Sequence, residues 1–182
     1  MAREPEILTV GHSTHEEQEF VELLRGAGVE SIADVRRHPG SRRHPQFERT
    51  MLAAVLLEAG IDYRWLGESL GGRRQPAAGS PNGAWEVDQF RGYADHLATD
   101  EFSEGLATLE EMGREQRTAI MCAEALWVRC HRRLVADVLT VRGWRVLHLG
   151  SNGRVERHEL TDFAVVDGGR ITYPARQTSL GI

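Results

Sequence analysis

The sequence predicts a doubly wound, Rossmann-like α/β domain with helices on both faces of a mostly parallel sheet. Short apolar runs alternate with segments of helical periodicity along the chain. Such alternation favours parallel strands joined by helical crossovers and buried on both faces. The size and composition, 182 residues with 41% hydrophobic and 27% charged side chains, are typical of one globular domain. We therefore interpret residues 1–182 as a single α/β domain.

The first half of the chain predicts three strands and two helices. Apolar runs indicate the strands, and apolar side chains spaced three or four residues apart indicate the helices. Ser13 and Thr14 are candidate N-caps of the first helix, because Glu16 or Glu17 would complete a capping box. In chain order, the predicted elements are strand 6–11, a helix ended by Gly26 and Gly28, strand 29–35, helix 46–59 and strand 61–66.

Residues 67–84 predict a long loop, since they contain five glycines, two prolines and almost no apolar side chains. A loop of this length inside a compact domain is typical of a lid or a disordered insert. The second half then predicts a fourth and a fifth strand, one more strand near Val155 and an irregular tail over residues 165–182. In chain order, its main elements are helices 87–98 and 104–116, strand 118–122, a helix directly after it, and strand 144–149.

Composition excludes several functional classes. All 22 basic residues are arginine, so lysine Schiff-base chemistry and lysine-dependent phosphate loops are ruled out. The net charge of -5 argues against a surface built for sequence-independent nucleic-acid binding. No apolar run approaches the roughly 20 residues that span a bilayer, and the first residues lack the features of an export signal. We therefore expect a cytoplasmic protein without a membrane partner, whose two cysteines are reduced thiols.

Polar side chains follow four of the five main predicted strands. Because ligands of open parallel sheets bind beyond the carboxyl ends of the strands, we expect these side chains to line one site. In strand order, the residues are Gly11, His12 and Ser13, then Asp34 and Arg36, then Cys122 and Glu124, then His148.

Residues 121–133, MCAEALWVRCHRR, contain both cysteines of the chain. Cys122 ends an apolar strand at the predicted start of a helix, whose dipole would lower the pKa of the thiol, so Cys122 is a candidate nucleophile. Burial as an ordinary core side chain is the alternative. A phosphatase of the cysteine-x5-arginine type is disfavoured, because Val128 stands where that template needs arginine. Glu124 either caps the predicted helix or points into the site.

Later residues of the same stretch have less specific interpretations. Helical periodicity places two rows of residues on the core-facing side of the predicted helix, so Cys130 would be a small core residue and His131 a hydrogen-bonded one. Arg132 and Arg133 lie to the side, where solvated helix surface is the common outcome and reach to the strand ends is the alternative for one of them. The rows are Leu126, Cys130, Leu134 and Val138, and Trp127, His131, Val135 and Leu139.

A zinc site is an alternative for the same stretch. Cys122, Cys130, His131 and His148 are all suitable zinc ligands. Their spacing supports the site poorly, since the chain has no CxxC, HxxxH or HExxH pair. The sequence prediction therefore assigns no metal ligand and names no cofactor.

The loop after the second strand is strongly basic. Five arginines occur between residues 36 and 49 with Glu48 as the only carboxylate, and His38 and His44 lie among them. These arginines would repel one another without counter-charge. A surface cluster of salt bridges is the alternative, but the pattern favours a site for an anionic ligand such as a phosphate.

The chain contains five characteristic segments, TVGHS, DVRRHPGSRRHPQF, GIDYRWLGESLGG, MCAEALWVRCHR and VLHLGSNGRVERH. Over about Ile7 to Ala164, these segments together resemble the family called domain of unknown function 488. The resemblance implies a Rossmann-like α/β domain in a bacterial or archaeal cytoplasm and implies no established reaction. Context-based suggestions for such proteins favour nucleotide or nucleic-acid metabolism. The resemblance also marks the positions of His148 and His158.

Three functional hypotheses follow, and the sequence does not indicate an oligomeric state. The first is an enzyme for a small anionic, phosphate-bearing or nucleotide-like substrate, with His12, Cys122 or Glu124 in nucleophilic or acid–base roles. The others are a non-catalytic module that binds nucleic acid or nucleotide, and a metal-stabilised scaffold. The ligand-binding candidates are Gly11, Ser13, Asp34, Arg36, Arg42, Arg73, His131, Arg132 and His148.

Overall fold

The central sheet has six strands in the computed structural model, which describes residues 4–40 and 42–176. Its strands are β1 (Glu6–Gly11), β2 (Ser31–Asp34), β3 (Asp62–Trp65), β4 (Thr118–Cys122), β5 (Arg145–Leu149) and β6 (Val155–Arg157). Their order is β3-β2-β4-β1-β5-β6, and all pairs are parallel except β5 with β6. This mixed but mostly parallel sheet confirms the predicted fold class.

Helices cover both faces of the sheet, as predicted. They are α1 (Glu17–Gly26), α2 (Arg49–Glu58), α3 (Gly67–Leu70), α4 (Asp88–His96), α5 (Asp100–Glu115) and α6 (Arg132–Val141). Alternate residues of β1 enter separate apolar clusters, with Leu8 and Val10 in the cluster that contains α1 and α2, and Ile7 in the cluster that contains α4, α5 and α6. Among the described residues, no helix combines the length and apolarity required to span a bilayer.

The predicted start of the first helix was wrong. The N-cap is Glu16, which forms a capping box with Glu19, so neither Ser13 nor Thr14 caps α1. Ser13 is held elsewhere, because its backbone N–H donates to the Ala123 carbonyl at 3.0 Å and its φ is 48°. The chain therefore continues beyond the sheet edge before α1 begins.

The predicted helix directly after the fourth strand was also wrong. Residues 123–126 are irregular, Trp127–Arg129 is a single 3-10 turn, and α6 starts only at Arg132. No helix starts here because two backbone carbonyls are already engaged at the sheet edge. The His12 N–H donates to the Cys122 carbonyl, and the Ser13 N–H donates to the Ala123 carbonyl. As a consequence Leu126 is exposed, whereas Leu134, Val135 and Leu139 are buried as expected.

Residues 67–84 and the C-terminal segment differ from the prediction as well. Asp95 of α4 anchors the long segment, since its carboxylate accepts hydrogen bonds from Ala77 N, Ser80 Oγ and Asn82 Nδ2 at 2.6–2.8 Å. The segment is therefore ordered, and it begins with α3. The predicted irregular tail contains an antiparallel hairpin of β7 (Val165–Asp167) and β8 (Arg170–Thr172), while residues 177–182 of that tail lie outside the described residues.

Candidate functional site

A cavity of about 500 Å³ opens at the carboxyl edge of the parallel strands. A second cavity of about 320 Å³ adjoins it and shares Arg36, His38, Ala123 and Glu124 with it. The remaining lining of the first cavity is Arg37, Gly72, Arg73, Gln89, Phe90, Cys122, Arg129, Cys130 and His131. The remaining lining of the second is His12, Ser13, Thr14, Gly40, His44 and Ala125.

Cys122, Cys130 and His131 form a cluster on the wall of the first cavity, with their sulfur and ring nitrogen atoms within 4.8 Å of one another. Cys130 Sγ lies 3.7 Å from His131 Nδ1, and His131 Nε2 lies 3.2 Å from the Val35 carbonyl oxygen. Since a carbonyl only accepts, Nε2 is the protonated nitrogen. In the neutral ring, Nδ1 therefore presents its lone pair to the sulfur of Cys130.

Arg132 lies beneath this cluster and is 1% exposed. Its Nε donates to Cys130 Sγ at 3.3 Å, and an Nη donates to the Glu124 carbonyl. Burial alone would raise the pKa of Cys130, but hydrogen bonding from Cys122 together with His131 and Arg132 lowers it well below the ordinary value. The hydrogen bond with Cys130, together with burial, raises the pKa of Cys122.

Two glycines allow the backbone to pack closely around the cluster. A Cβ on Gly11 would lie 2.0 Å from the Glu124 carbonyl oxygen, and one on Gly72 would lie 2.8 Å from His131 Nδ1. Both distances are shorter than a van der Waals contact. Gly11, predicted as a ligand-binding residue, therefore serves to admit the 122–125 backbone beside β1.

Asp34 and Arg36 form a buried ion pair under both cavities. The Asp34 carboxylate accepts from Arg36 Nε at 2.9 Å and from an Nη at 2.7 Å, and it also accepts from the Tyr63 hydroxyl at 2.6 Å. The other Nη of Arg36 donates to the Phe47 carbonyl at 2.7 Å. This geometry makes Asp34 a positioning residue, and it leaves Arg36 with few donors for a ligand.

His12 is neutral and fully hydrogen-bonded. Its Nδ1 donates to the Ser13 carbonyl at 3.0 Å, and its Nε2 accepts from Arg36 at 3.2 Å. Burial, followed by the charge of Arg36, lowers the pKa of His12 to about 4. Although His12 lines the second cavity, both ring nitrogens are occupied, so its geometry favours a role in orienting Arg36.

His148 lies apart from both cavities, contrary to the expected convergence at one site. Its Nδ1 accepts from the Thr9 hydroxyl at 2.7 Å, its Nε2 contacts His158 Nδ1 at 2.9 Å, and its ring stacks on Trp127. Burial, followed by the charge of His158, lowers the pKa of His148 to about 3. Trp127 and His158 cover the ring, which is 3% exposed, so His148 belongs to a buried network.

Stability is expected to fall as pH is lowered from 7 to 5, because His12 and His148 are neutral when folded and have pKa values near 6.5 when unfolded. Above pH 6.5 neither state binds the extra protons, and below it only the unfolded chain does. The free energy of unfolding should drop by up to about 1.4 kcal/mol per pH unit for each histidine. Urea denaturation at several pH values measures the slope, and a His148→Gln variant should show a shallower one. Equal stability at pH 7 and pH 5 would contradict the expectation.

Three arginines of the first cavity are unpaired within the part of the chain that the structure describes. The guanidinium groups of Arg37, Arg73 and Arg129 form no hydrogen bond or salt bridge there, and Glu124 is the only carboxylate in the lining. Arg73 and Arg129 are exposed and Arg37 is half-buried, whereas Arg42 is exposed but lies outside the lining. The Glu124 carboxylate itself accepts from Leu126 N at 3.0 Å.

Arg73 and Ser13 share an unusual backbone conformation. They are the non-glycine residues with positive φ among those described, at 61° and 48°, and they line the first and second cavities respectively. Positive φ disfavours ordinary side chains and tends to occur where function requires a particular placement.

The structure thus brings together part of the predicted set. Cys122, Glu124, Arg36, Arg73 and His131 meet in the first cavity. His12 and Ser13 lie in the second cavity, whereas Gly11, Asp34, Arg132, Arg42 and His148 line neither one. Sequence reasoning missed Arg37, Arg129 and Cys130 as lining residues. The adjacency of cysteine, histidine and arginine at 130–132 was the available signal for Cys130.

Residues 16–139 match the model of the family described as domain of unknown function DUF488. No curated protein matches the chain. No solved structure matches it either. The matched range contains the arginines of the first cavity and the cluster of Cys122, Cys130 and His131. This chain therefore belongs to the family of domain of unknown function 488.

Proposed function

We propose that this protein is an enzyme that binds a small anion, phosphate-bearing or nucleotide-like, and acts on it with the Cys122–Cys130–His131 cluster. The observation that carries the proposal is the group of three unpaired arginines, Arg37, Arg73 and Arg129, lining the same cavity as the cluster. Reactive side chains and charge-binding side chains thus line one cavity that is open to solvent.

Electrostatics favour an anion as the ligand. Three guanidinium groups facing one cavity repel one another, and a phosphate would supply the missing counter-charge with two or more acceptor oxygens. Arginine suits this purpose because its planar fork binds phosphate through paired hydrogen bonds. The size also fits, since pockets for small ligands are typically about 300–1,000 Å³.

Isothermal titration calorimetry with inorganic phosphate and nucleoside monophosphates tests the binding. Because a hydrogen bond to a charged group contributes about 1.5–3 kcal/mol, Arg73→Ala and Arg129→Ala should each weaken binding by roughly 10- to 100-fold. Arg170→Ala is the matched control, since Arg170 is exposed on β8 and lines neither cavity. Product release from a panel of phosphate esters and nucleotides then tests turnover.

Two outcomes would contradict the proposal. One is the absence of binding by every small anion at low ionic strength. The other is tight binding of DNA or RNA that weakens steeply with salt and is lost in the Arg73 and Arg129 variants, with no turnover of small esters. That second result would identify a non-catalytic nucleic-acid-binding module.

A further inference from the structure

We propose that Cys122, Cys130 and His131 bind a zinc ion whose fourth coordination position opens into the arginine-lined cavity. The catalytic role of this ion rests on the function proposed above, because the bound anion would be its substrate. The metal site itself rests on the geometry of three side chains.

The donor atoms match those that zinc prefers. Zinc binds cysteine sulfur at about 2.3 Å and histidine nitrogen at about 2.0–2.1 Å in a tetrahedral arrangement, which places two such donors about 3.5 Å apart. Cys130 Sγ and His131 Nδ1 are 3.7 Å apart, and Cys122 Sγ lies within 4.8 Å of both. A set of two sulfurs and one imidazole favours zinc over magnesium or calcium, which require oxygen ligands.

The second coordination shell is also present. A histidine that binds a metal usually donates its other ring N–H to a carbonyl or carboxylate, and His131 Nε2 donates to the Val35 carbonyl at 3.2 Å. Arg132 Nε donates to Cys130 Sγ at 3.3 Å. Gly72 packs directly against the imidazole, because a Cβ at this position would lie 2.8 Å from Nδ1. These contacts fix the ring and one sulfur before any ion arrives.

The fourth position is open to the cavity. His148, the remaining zinc ligand suggested by sequence, is held by Thr9 and His158 and lines neither cavity. All three cluster residues line the first cavity, so water or a substrate oxygen would complete the tetrahedron. Three protein ligands with one exchangeable position are typical of catalytic zinc. There the ion polarises a bound oxygen and lowers the pKa of bound water to near 7.

Elemental analysis of full-length protein purified without chelators tests the site. We expect about one equivalent of zinc, and after exchange with Co²⁺ we expect the visible bands of tetrahedral cobalt together with thiolate-to-cobalt charge transfer. Cys122→Ser, Cys130→Ser and His131→Gln should each lower zinc affinity by more than the roughly 10- to 100-fold typical of second-shell changes. Circular dichroism of each variant verifies folding.

His38→Ala is the matched control, because His38 is an exposed histidine of the same cavity outside the cluster. It should retain zinc, and loss of zinc in this variant would overturn the open site in favour of a closed four-ligand one. Zinc below about a tenth of an equivalent, with no cobalt spectrum under reducing conditions, would overturn the metal site. In that case, phosphate binding that survives in the chelator-treated protein would leave the proposed function standing.

Discussion

Replacing Asp34 with alanine is expected to lower the free energy of unfolding by about 3–5 kcal/mol. Asp34 is 0% exposed and accepts from three donors of Arg36, counting its backbone N–H at 3.0 Å, and from the Tyr63 hydroxyl. Arg36 is only 7% exposed. Its charge would therefore remain buried without a counter-ion, and an unpaired buried charge is far costlier than the loss of one hydrogen bond.

Urea denaturation at pH 7 measures this loss. Asp62→Ala serves as the control, since Asp62 is an exposed carboxylate of the neighbouring strand whose side chain accepts from Gln116. We expect it to cost less than about 1 kcal/mol. Exchanging both partners, as in Asp34→Ala with Arg36→Met, should recover part of the stability, because no charge is then left buried. A loss below 1 kcal/mol in the single variant would mean that Arg36 escapes to solvent.

The ion pair also holds the basic loop at the cavity. Arg36 donates to the Phe47 carbonyl, and the Trp65 indole donates to the Arg36 carbonyl at 2.8 Å. Both ends of the 36–47 segment are thereby tied to the sheet. The sequence predicted Arg36 as a ligand-binding residue, whereas its contacts indicate that it supports the cavity from below.

The central fold was predictable because β1, β2, β4 and β5 are short, largely buried apolar runs and the main helices carry an apolar face, whereas β7 and β8 were not predicted. These patterns do not determine how the chain leaves a strand. After Cys122, the periodic positions of Cys130 and Leu134 predicted one helix, yet the backbone carbonyls of Cys122 and Ala123 are engaged by His12 and Ser13. A pairing between residues more than a hundred positions apart has no local signal, so the helix was placed too early.

The sequence predicted where the candidate site lies, but it predicted only some of the residues that line it. Strand ends located Cys122 and Glu124 correctly at the sheet edge, since the carboxyl ends of parallel strands meet there. Cys130 and His131 were assigned to the core face of a helix that begins only at Arg132. His148 does not line the site for a different reason, because Trp127 and His158 cover its ring.

Asp137→Ala is expected to cost at least about 3 kcal/mol, because it leaves three buried donors unpaired at about 1–3 kcal/mol each. The Asp137 carboxylate is 0% exposed and accepts from His158 Nε2, Thr161 N and the Tyr173 hydroxyl at 2.7–2.9 Å. His158 in turn contacts His148, and His148 accepts from the Thr9 hydroxyl of β1. One carboxylate on α6 therefore joins the C-terminal segment to the centre of the sheet.

Two milder variants distinguish the loss of these hydrogen bonds from the loss of side-chain volume. Tyr173→Phe removes one hydroxyl and should cost about 1–2 kcal/mol, whereas Asp137→Asn keeps the shape and one acceptor oxygen and should fall between the two. Hydrogen exchange adds a spatial test, since in Asp137→Ala the amide of Thr161 loses its acceptor and should exchange faster. If Asp137→Ala and Tyr173→Phe cost the same, the carboxylate would contribute only through the tyrosine. In that case His158 and Thr161 would find other partners, and α6 would not depend on this carboxylate to hold the C-terminal segment.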